Sequence, residues 1–315
     1  MMHSFFGHHQ RWEQISRLIE QGELSHALLF YGPDGIGKKI FALEMAETIL
    51  CQDERCIHQM RNGTFPDFLL IEDDKMIRVD AIASVQRFLT ERPVFGDKKV
   101  VIVDNAHLMN IQAQNKFLKT LEAPPSFSHI ILITSQIHQL VDTIRSRTMA
   151  VPFEPLSSDL IYNNLPKTAS EQDRRIATDF SLGSFGKALE ILEDPERKRI
   201  FFLPPEIFRA MIEYDYVKLL QLTKSLEKQQ YPLLLDHMAI WLRDLSLIRT
   251  DHNSRQVLYQ EFRDLLIRQS QTIMSFHIAP LMERVETARE QIEYNVNPEI
   301  VTYAMLMDMQ EEIHR

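Results

Sequence analysis

Two short stretches carry residue types that could act on a nucleotide. The first is Gly32-Pro33-Asp34-Gly35-Ile36-Gly37-Lys38-Lys39, which fits the pattern G-x-x-x-x-G-K. In such a loop the backbone N–H groups and the start of the next helix can cradle phosphates, and Lys38 can neutralise the β and γ oxygens. The pattern departs at its last position. Where a Ser or Thr hydroxyl would ligate Mg²⁺ stands Lys39, whose ammonium cannot coordinate a cation. The second stretch is the apolar run at 100–103, which ends in Asp104, as a buried parallel strand does when it delivers a carboxylate to its C-terminal edge. Asp104 can hold a metal directly or through water, but the next residue, Asn105, is neutral and cannot serve as a general base toward attacking water. Hydrolysis is expected to be absent or very slow. A loop that keeps its shape without using nucleotide is the favoured reading, and binding without hydrolysis stays open.

The elements around these residues read as alternating strands and helices. A helix is expected over 10–21, with Trp12, Ile15, Leu18 and Ile19 on one face, closed by Gly22. A strand over 26–31, the glycine loop and an apolar-faced helix to Leu50 then give the strand–loop–helix context that a phosphate loop requires. A polar excursion fills 51–66 and a strand covers 67–72. Asp80 looks like the cap of a helix carrying Ile82, Val85, Phe88 and Leu89. After strand 100–103 come a helix over 112–122 stopped by Pro124-Pro125, a strand over 130–133, and a last strand over 149–153. Five mostly apolar strands alternating with helices imply a parallel sheet covered on both faces.

Glycine occurs at nine positions, none beyond 186, and from Lys187 onward the chain reads as helix after helix. A small helical unit is expected over 156–194. Pro195, Pro204 and Pro205 then separate it from a final helical bundle, whose Trp241, Leu245 and Ile248 are spaced as core. The fold class is thus α/β followed by all-α.

The chain has 315 residues, 44% hydrophobic and 25% charged, which suits a globular protein of two or three domains rather than a disordered one. A net charge of −9 argues against gripping nucleic acid over a large surface unaided. No apolar run nears the roughly 20 residues that span a bilayer, and the N-terminal stretch lacks the regions of a signal peptide, so no membrane association and a cytoplasmic location are expected. Cys51 and Cys56 are too few and too close for a disulfide framework, which suggests a reducing compartment.

With these residues in view the chain resembles the AAA+ clamp-loader ATPases of bacterial DNA polymerase III. The resemblance is carried by Ser25-His26-Ala27-Leu28-Leu29-Phe30, by Val101-Ile102-Val103-Asp104-Asn105-Ala106, and by the block from Gln114-Asn115-Lys116 to Ala123-Pro124-Pro125. Thr143-Ile144-Arg145-Ser146-Arg147-Thr148 and Asn295-Val296-Asn297-Pro298 continue it. It implies a RecA-like AAA+ parallel-sheet domain at 1–155, a small helical lid at 156–200 and a C-terminal helical collar at 201–315 that assembles the ring. It also implies that Ser146-Arg147-Thr148 matches the family's Ser-Arg-Cys segment, so that Arg147 would act in trans on ATP held by a neighbour, with Arg145 more structural. Thr134, with Ser135, stands where the family places a polar sensor of the γ-phosphate. Gly186, in Gly183-Ser184-Phe185-Gly186-Lys187, stands where active members carry a sensing arginine, and Lys187 is one place off.

The segment containing Cys51 and Cys56 falls where many members carry a four-cysteine zinc module. Two cysteines, with His58 as a third donor at most, do not make a tetrahedral site, so no zinc is expected. The implied partners are the gamma/tau motor and delta subunits and, through the assembly, the sliding clamp and primed DNA. The resulting expectation is a non-hydrolysing scaffold subunit with no cofactor of its own. A working ATPase that tolerates Lys39, or an adaptor of the same fold outside replication, are the alternatives.

Overall fold

The computed structural model describes residues 5–224, 226–254, 256–294 and 296–314; Asn295 of the sequence motif above lies outside the described residues. The chain divides into two compact units, one ending at Leu189 and one beginning at Glu190. Most of the segment expected as a lid, 156–189, therefore belongs with the α/β unit.

In the first unit the order is α1 (His9–Gln21), β1 (Ala27–Tyr31), α2 (Lys38–Leu50), α3 (Glu54–Arg61), β2 (Phe68–Ile71), α4 (Val79–Thr90) and β3 (Lys99–Val103). Then follow α5 (Ile111–Glu122), β4 (Ser128–Thr134), α6 (Asp142–Arg145), β5 (Met149–Pro152), α7 (Ser158–Asn164), α8 (Glu171–Phe180) and α9 (Phe185–Glu193), within which the division falls. The five strands are parallel in the order β2-β3-β4-β1-β5. β3 and β4 are buried along their whole length, which is why each carries an unbroken apolar stretch, 100–103 and 130–133, rather than an alternation. Successive residues point to opposite faces. Phe30, Val100 and Ile102 pack with Phe41, Met45 and Phe153 on one side. Leu29, Val101 and Val103 pack with Ile82, Val85 and Phe117 on the other.

Three local expectations are corrected. The excursion at 51–66 contains the helix α3, started by Asp53, whose carboxylate accepts from Cys56 N–H at 2.8 Å, and anchored by buried Met60. Its polar composition had hidden it. Cys51 and Cys56 are joined in a disulfide rather than free: the end of α2 and the first turn of α3 bring their Cα atoms to 5.3 Å, ordinary bridging distance. Asp80 is not the cap of α4, because Arg78 holds that position and Asp80 lies in the first turn, where a carboxylate still favours the helix dipole.

The second unit is built from α10 (Pro195–Phe201), α11 (Leu203–Ile212), α12 (Tyr216–Lys224), α13 (Tyr231–Thr250), α14 (Arg263–Thr272), α15 (Ser275–Glu293) and α16 (Pro298–Ile313). Pro204 and Pro205 do not separate elements; they are buried in the first turn of α11, where a missing N–H costs nothing. Trp241, Leu245 and Ile248 of α13 are fully buried, as their spacing predicts. The Trp241 indole donates to Gln269 Oε1 at 3.0 Å, and Gln269 donates to Pro205 O at 3.2 Å, so the polar edges of this core are satisfied. Asp244, fully buried, accepts from Leu258 and Tyr259 N–H at 2.8 Å each.

Beside this network His237 lies buried with its Nδ1 3.2 Å from the Tyr259 hydroxyl, and burial pushes its pKa down to about 3. The unfolded chain therefore takes up this proton first, and the contribution to stability is lost as pH falls from about 6.5 toward 3, at roughly 1.4 kcal/mol per pH unit. Urea unfolding of the full chain should show a loss between pH 7 and pH 5 about 2 kcal/mol larger than in His237→Gln. Equal losses would remove His237 as the origin of acid sensitivity.

Candidate nucleotide site

β1, β4 and β3 lie side by side, so the residues following their C-terminal ends converge at one edge of the sheet. That edge is where parallel α/β sheets bind ligands. The glycine loop follows β1 and is tied to β4 by Gly32 N–H donating to Thr134 O at 3.3 Å; Asp104 follows β3 and Thr134 ends β4. Gly32, Gly35, Gly37, Lys38, Lys39, Asp104, Asn105 and Thr134 are thus brought to one place, as the sequence expects.

These side chains are engaged within the protein. Lys38 is buried and donates to Gly32 O at 2.7 Å and Pro33 O at 2.6 Å, so its ammonium is turned onto the carbonyls of its own loop. Burial lowers its pKa, partly offset by the charges of Asp34 and Asp104. The Lys39 ammonium pairs with Glu72 and stands 3.5 Å from Asp104 Oδ2. Burial works against its charge, but the bond to Glu72 and the charge of Asp104 outweigh it and raise its pKa. A cation is therefore already seated between these two carboxylates. Glu72 was missed in the sequence because a single acidic residue after an edge strand belongs to no motif.

Asn105 has φ +48° and starts a short 3-10 turn at Ala106–Leu108. Asparagine is among the few residues that tolerate this left-handed conformation, so the position has a backbone reason for its side chain as well as a chemical consequence. The Thr134 hydroxyl is buried, lies 3.2 Å from His107 Nδ1 and accepts from Gln136 N–H at 3.0 Å. His107, which no sequence argument singled out, has its pKa lowered, chiefly by burial. The Ser135 hydroxyl is buried without a hydrogen-bond partner.

The start of α9 closes over the loop. Gly186 N–H donates to Gly35 O at 2.8 Å, and a Cβ on Gly186 would come within 3.0 Å of Gly35 Cα. Gly35 has φ +71°, and a Cβ there would run into Ser184 Oγ. Lys187 is exposed, away from this contact. What is left is a cavity of about 350 Å³, apolar on the side of Phe5, Phe6, Phe185 and Leu189 and charged on the side of Lys38, Lys39 and Asp104.

Arg147 is not part of this cluster. It precedes β5, whose Met149 is level with Leu28 near the start of β1, whereas the loop follows the end of β1. One strand length, roughly 15 Å, separates them. Its Nη2 pairs with Glu122 Oε1 at 3.0 Å and its Nη1 donates to Thr143 O at 3.2 Å. Arg145 pairs with Asp142. Cys51 and Cys56 lie in their disulfide and His58 contacts Asn62; among the described residues no group of three or more His, Cys, Asp or Glu could hold a metal.

Two sequence families match: DNA polymerase III, delta subunit, over residues 7–157, and DNA polymerase III, delta subunit, C terminal, over residues 206–311. DNA polymerase III subunit delta' of Bacillus subtilis is 26% identical over 311 residues, covering 93% of each chain. The chain belongs to the DNA polymerase III clamp-loader family, as a delta-prime-type member. Subunit delta' of Pseudomonas aeruginosa is 35% identical over 150 residues, 43% of this chain and 46% of that relative's length. A DNA polymerase III gamma subunit-related protein of Thermotoga maritima shares the fold, with a TM-score of 0.54 at 18% identity over 96% of this chain and 99% of that one. No helix among the described residues is long and apolar enough to cross a membrane.

Two outcomes follow from the geometry. Lys39→Thr leaves Glu72 and Asp104 facing each other without a cation; its thermal midpoint should fall in EDTA and recover on adding Mn²⁺, while the wild type shows no such response. A Mn²⁺-insensitive variant would show that the two carboxylates do not form a shared cation position. Gly186→Ala should cost about 1–3 kcal/mol in urea unfolding, because neither Gly35 nor Gly186 backbone can yield to the added methyl.

Proposed function

We propose that this chain is a non-hydrolysing subunit of the DNA polymerase III clamp loader, a scaffold in an AAA+ ring that lends Arg147 to the ATP site of a neighbouring subunit. The observation that carries the reading is Lys39 seated between Glu72 and Asp104, where a working site would place Mg²⁺. A triphosphate whose charge is not met by a divalent ion lacks the main source of transition-state stabilisation for phosphoryl transfer, and Asn105 offers no base. Lys38 spends its donors on loop carbonyls and the backbone of Gly186 closes on Gly35, which adds to the case against turnover. Neither ATP hydrolysis nor a resident metal is part of this reading.

Arg147 stands one strand length from its own loop, so any phosphate it meets belongs to another subunit. A guanidinium supplied in trans meets the charge that develops on the transferring phosphoryl group and can be worth roughly 10³ to 10⁵ in rate. The neighbours on this reading are the gamma/tau motor and delta subunits in the cytoplasm, and the work done is opening and loading of the sliding clamp onto primed DNA.

The test is reconstitution of the loader with Arg147→Ala. DNA-stimulated ATP turnover and clamp loading should fall by at least tenfold, with assembly intact by gel filtration. Unchanged turnover would overturn the trans role. Appreciable ATPase activity in the purified chain alone, abolished by Lys38→Ala, would instead identify a working ATPase.

A further inference from the structure

Arg147 does not stand free, and the residue that holds it sits in an unfavourable place for its own helix. Glu122 is the last residue of α5, which Ala123 and Pro124 stop. The carbonyl end of a helix carries partial negative charge, so a carboxylate there opposes the helix dipole, whereas Lys119 in the same turn complements it. Glu122 is compensated by Arg147, at 3.0 Å.

The guanidinium is held from two sides: Nη2 by Glu122 on α5, and Nη1 by Thr143 O, with Ser146 Oγ at 3.4 Å, at the end of α6. Among the described residues its Nε–H is left open. Arg145 pairs with Asp142 instead, so the two arginines of this turn do not share a carboxylate. The side chains of Arg147 and Glu122 are 37% and 53% exposed, which leaves the pair reachable from outside the subunit.

We propose that Glu122 is a positioning residue for Arg147, fixing the plane and direction of the guanidinium before a neighbour's phosphate arrives. The proposal rests on the trans role of Arg147. Arginine loses several rotatable bonds when it is fixed on a phosphate, and a side chain already held in the productive orientation loses less at the moment of reaction. Glu122 touches no reacting atom on this account; it acts through Arg147 alone. An exposed ion pair of this kind corresponds to about a two- to fivefold effect.

The experiment uses the complete reconstituted loader carrying Glu122→Gln, Glu122→Asp, Arg147→Ala or both Glu122→Gln and Arg147→Ala. The expected result is a two- to fivefold lower kcat for ATP in Glu122→Gln with KM unchanged, and recovery of at least half of the loss in Glu122→Asp. Glu122→Gln should add nothing further in the Arg147→Ala loader, and its urea midpoint should match the wild type. Unchanged turnover in Glu122→Gln would overturn the proposal, and so would an equal loss with and without Arg147, which would mark a merely structural role. A rise in turnover would also overturn it, because Glu122 would then be competing with the phosphate. If Arg147→Ala itself leaves turnover intact, it is the trans role that fails, and the two failures are told apart.

Discussion

The ammonium of Lys39 between two carboxylates is the constraint on which the rest of the site depends. β2 and β3 are paired in register, Ile71 with Val103, so the residues that follow their ends, Glu72 and Asp104, are cross-strand neighbours; Asp104 N–H donates to Ile71 O at 2.9 Å. Two carboxylates at that spacing repel each other at neutral pH, and a cation lying between them relieves the repulsion. The first turn of α2 supplies the cation covalently. Its stabilisation is modest, about 1 kcal/mol or less for a pair this exposed. Its effect is one of occupancy: the ammonium fills the space between the two carboxylates.

The same logic extends to the loop and to α9. A phosphate loop offers its backbone N–H groups outward and its lysine toward the ligand. Here the lysine is satisfied by Gly32 and Pro33, and the apex carbonyl of Gly35 is satisfied by Gly186. The absence of a side chain at Gly186 permits a backbone-to-backbone approach that an arginine at this place could not make. Lys39 and Gly186, read separately as two departures from a nucleotide-binding pattern, are thus connected physically. One pairs with Glu72 and Asp104, and the other lets the helix close on the loop beside it.

Much of the fold could be read from the sequence because a parallel sheet buried on both faces writes itself as unbroken apolar runs. The runs ending in Val103 and Ile133 left little choice of element or of which residue would stand at the strand end. The glycine loop was legible for a different reason, since its spacing is demanded by backbone geometry. Glu72, His107 and Glu122 were not legible. Each is a single polar residue whose meaning depends on what another segment brings to it, and periodicity carries no such information. α3 was hidden because its helix rests on a cap and one buried methionine rather than on an apolar stripe. Asn105 was read only as a missing base, when its φ of +48° also gives the turn a reason to prefer asparagine. Chemical and conformational demands coincide at that residue, and sequence alone reports only the first.

The two ends of the sheet then differ in kind. At the C-terminal ends of the strands, the side chains are engaged with one another: Lys38 with the carbonyls of its own loop, Lys39 with Glu72, Thr134 with His107. At the other end, Arg147 is half-exposed, with a charge partner on one side and a backbone carbonyl on the other, and has the next strand starting two residues later. Since β5 runs beside β1 and parallel to it, no rotation of the Arg147 side chain, whose reach is about 7 Å, carries it over a strand length to the loop that follows β1. The separation is fixed by the register of the sheet rather than by side-chain conformation. The register of the sheet thus keeps Arg147 apart from the chain's own glycine loop, and the two are engaged by separate partners within one chain.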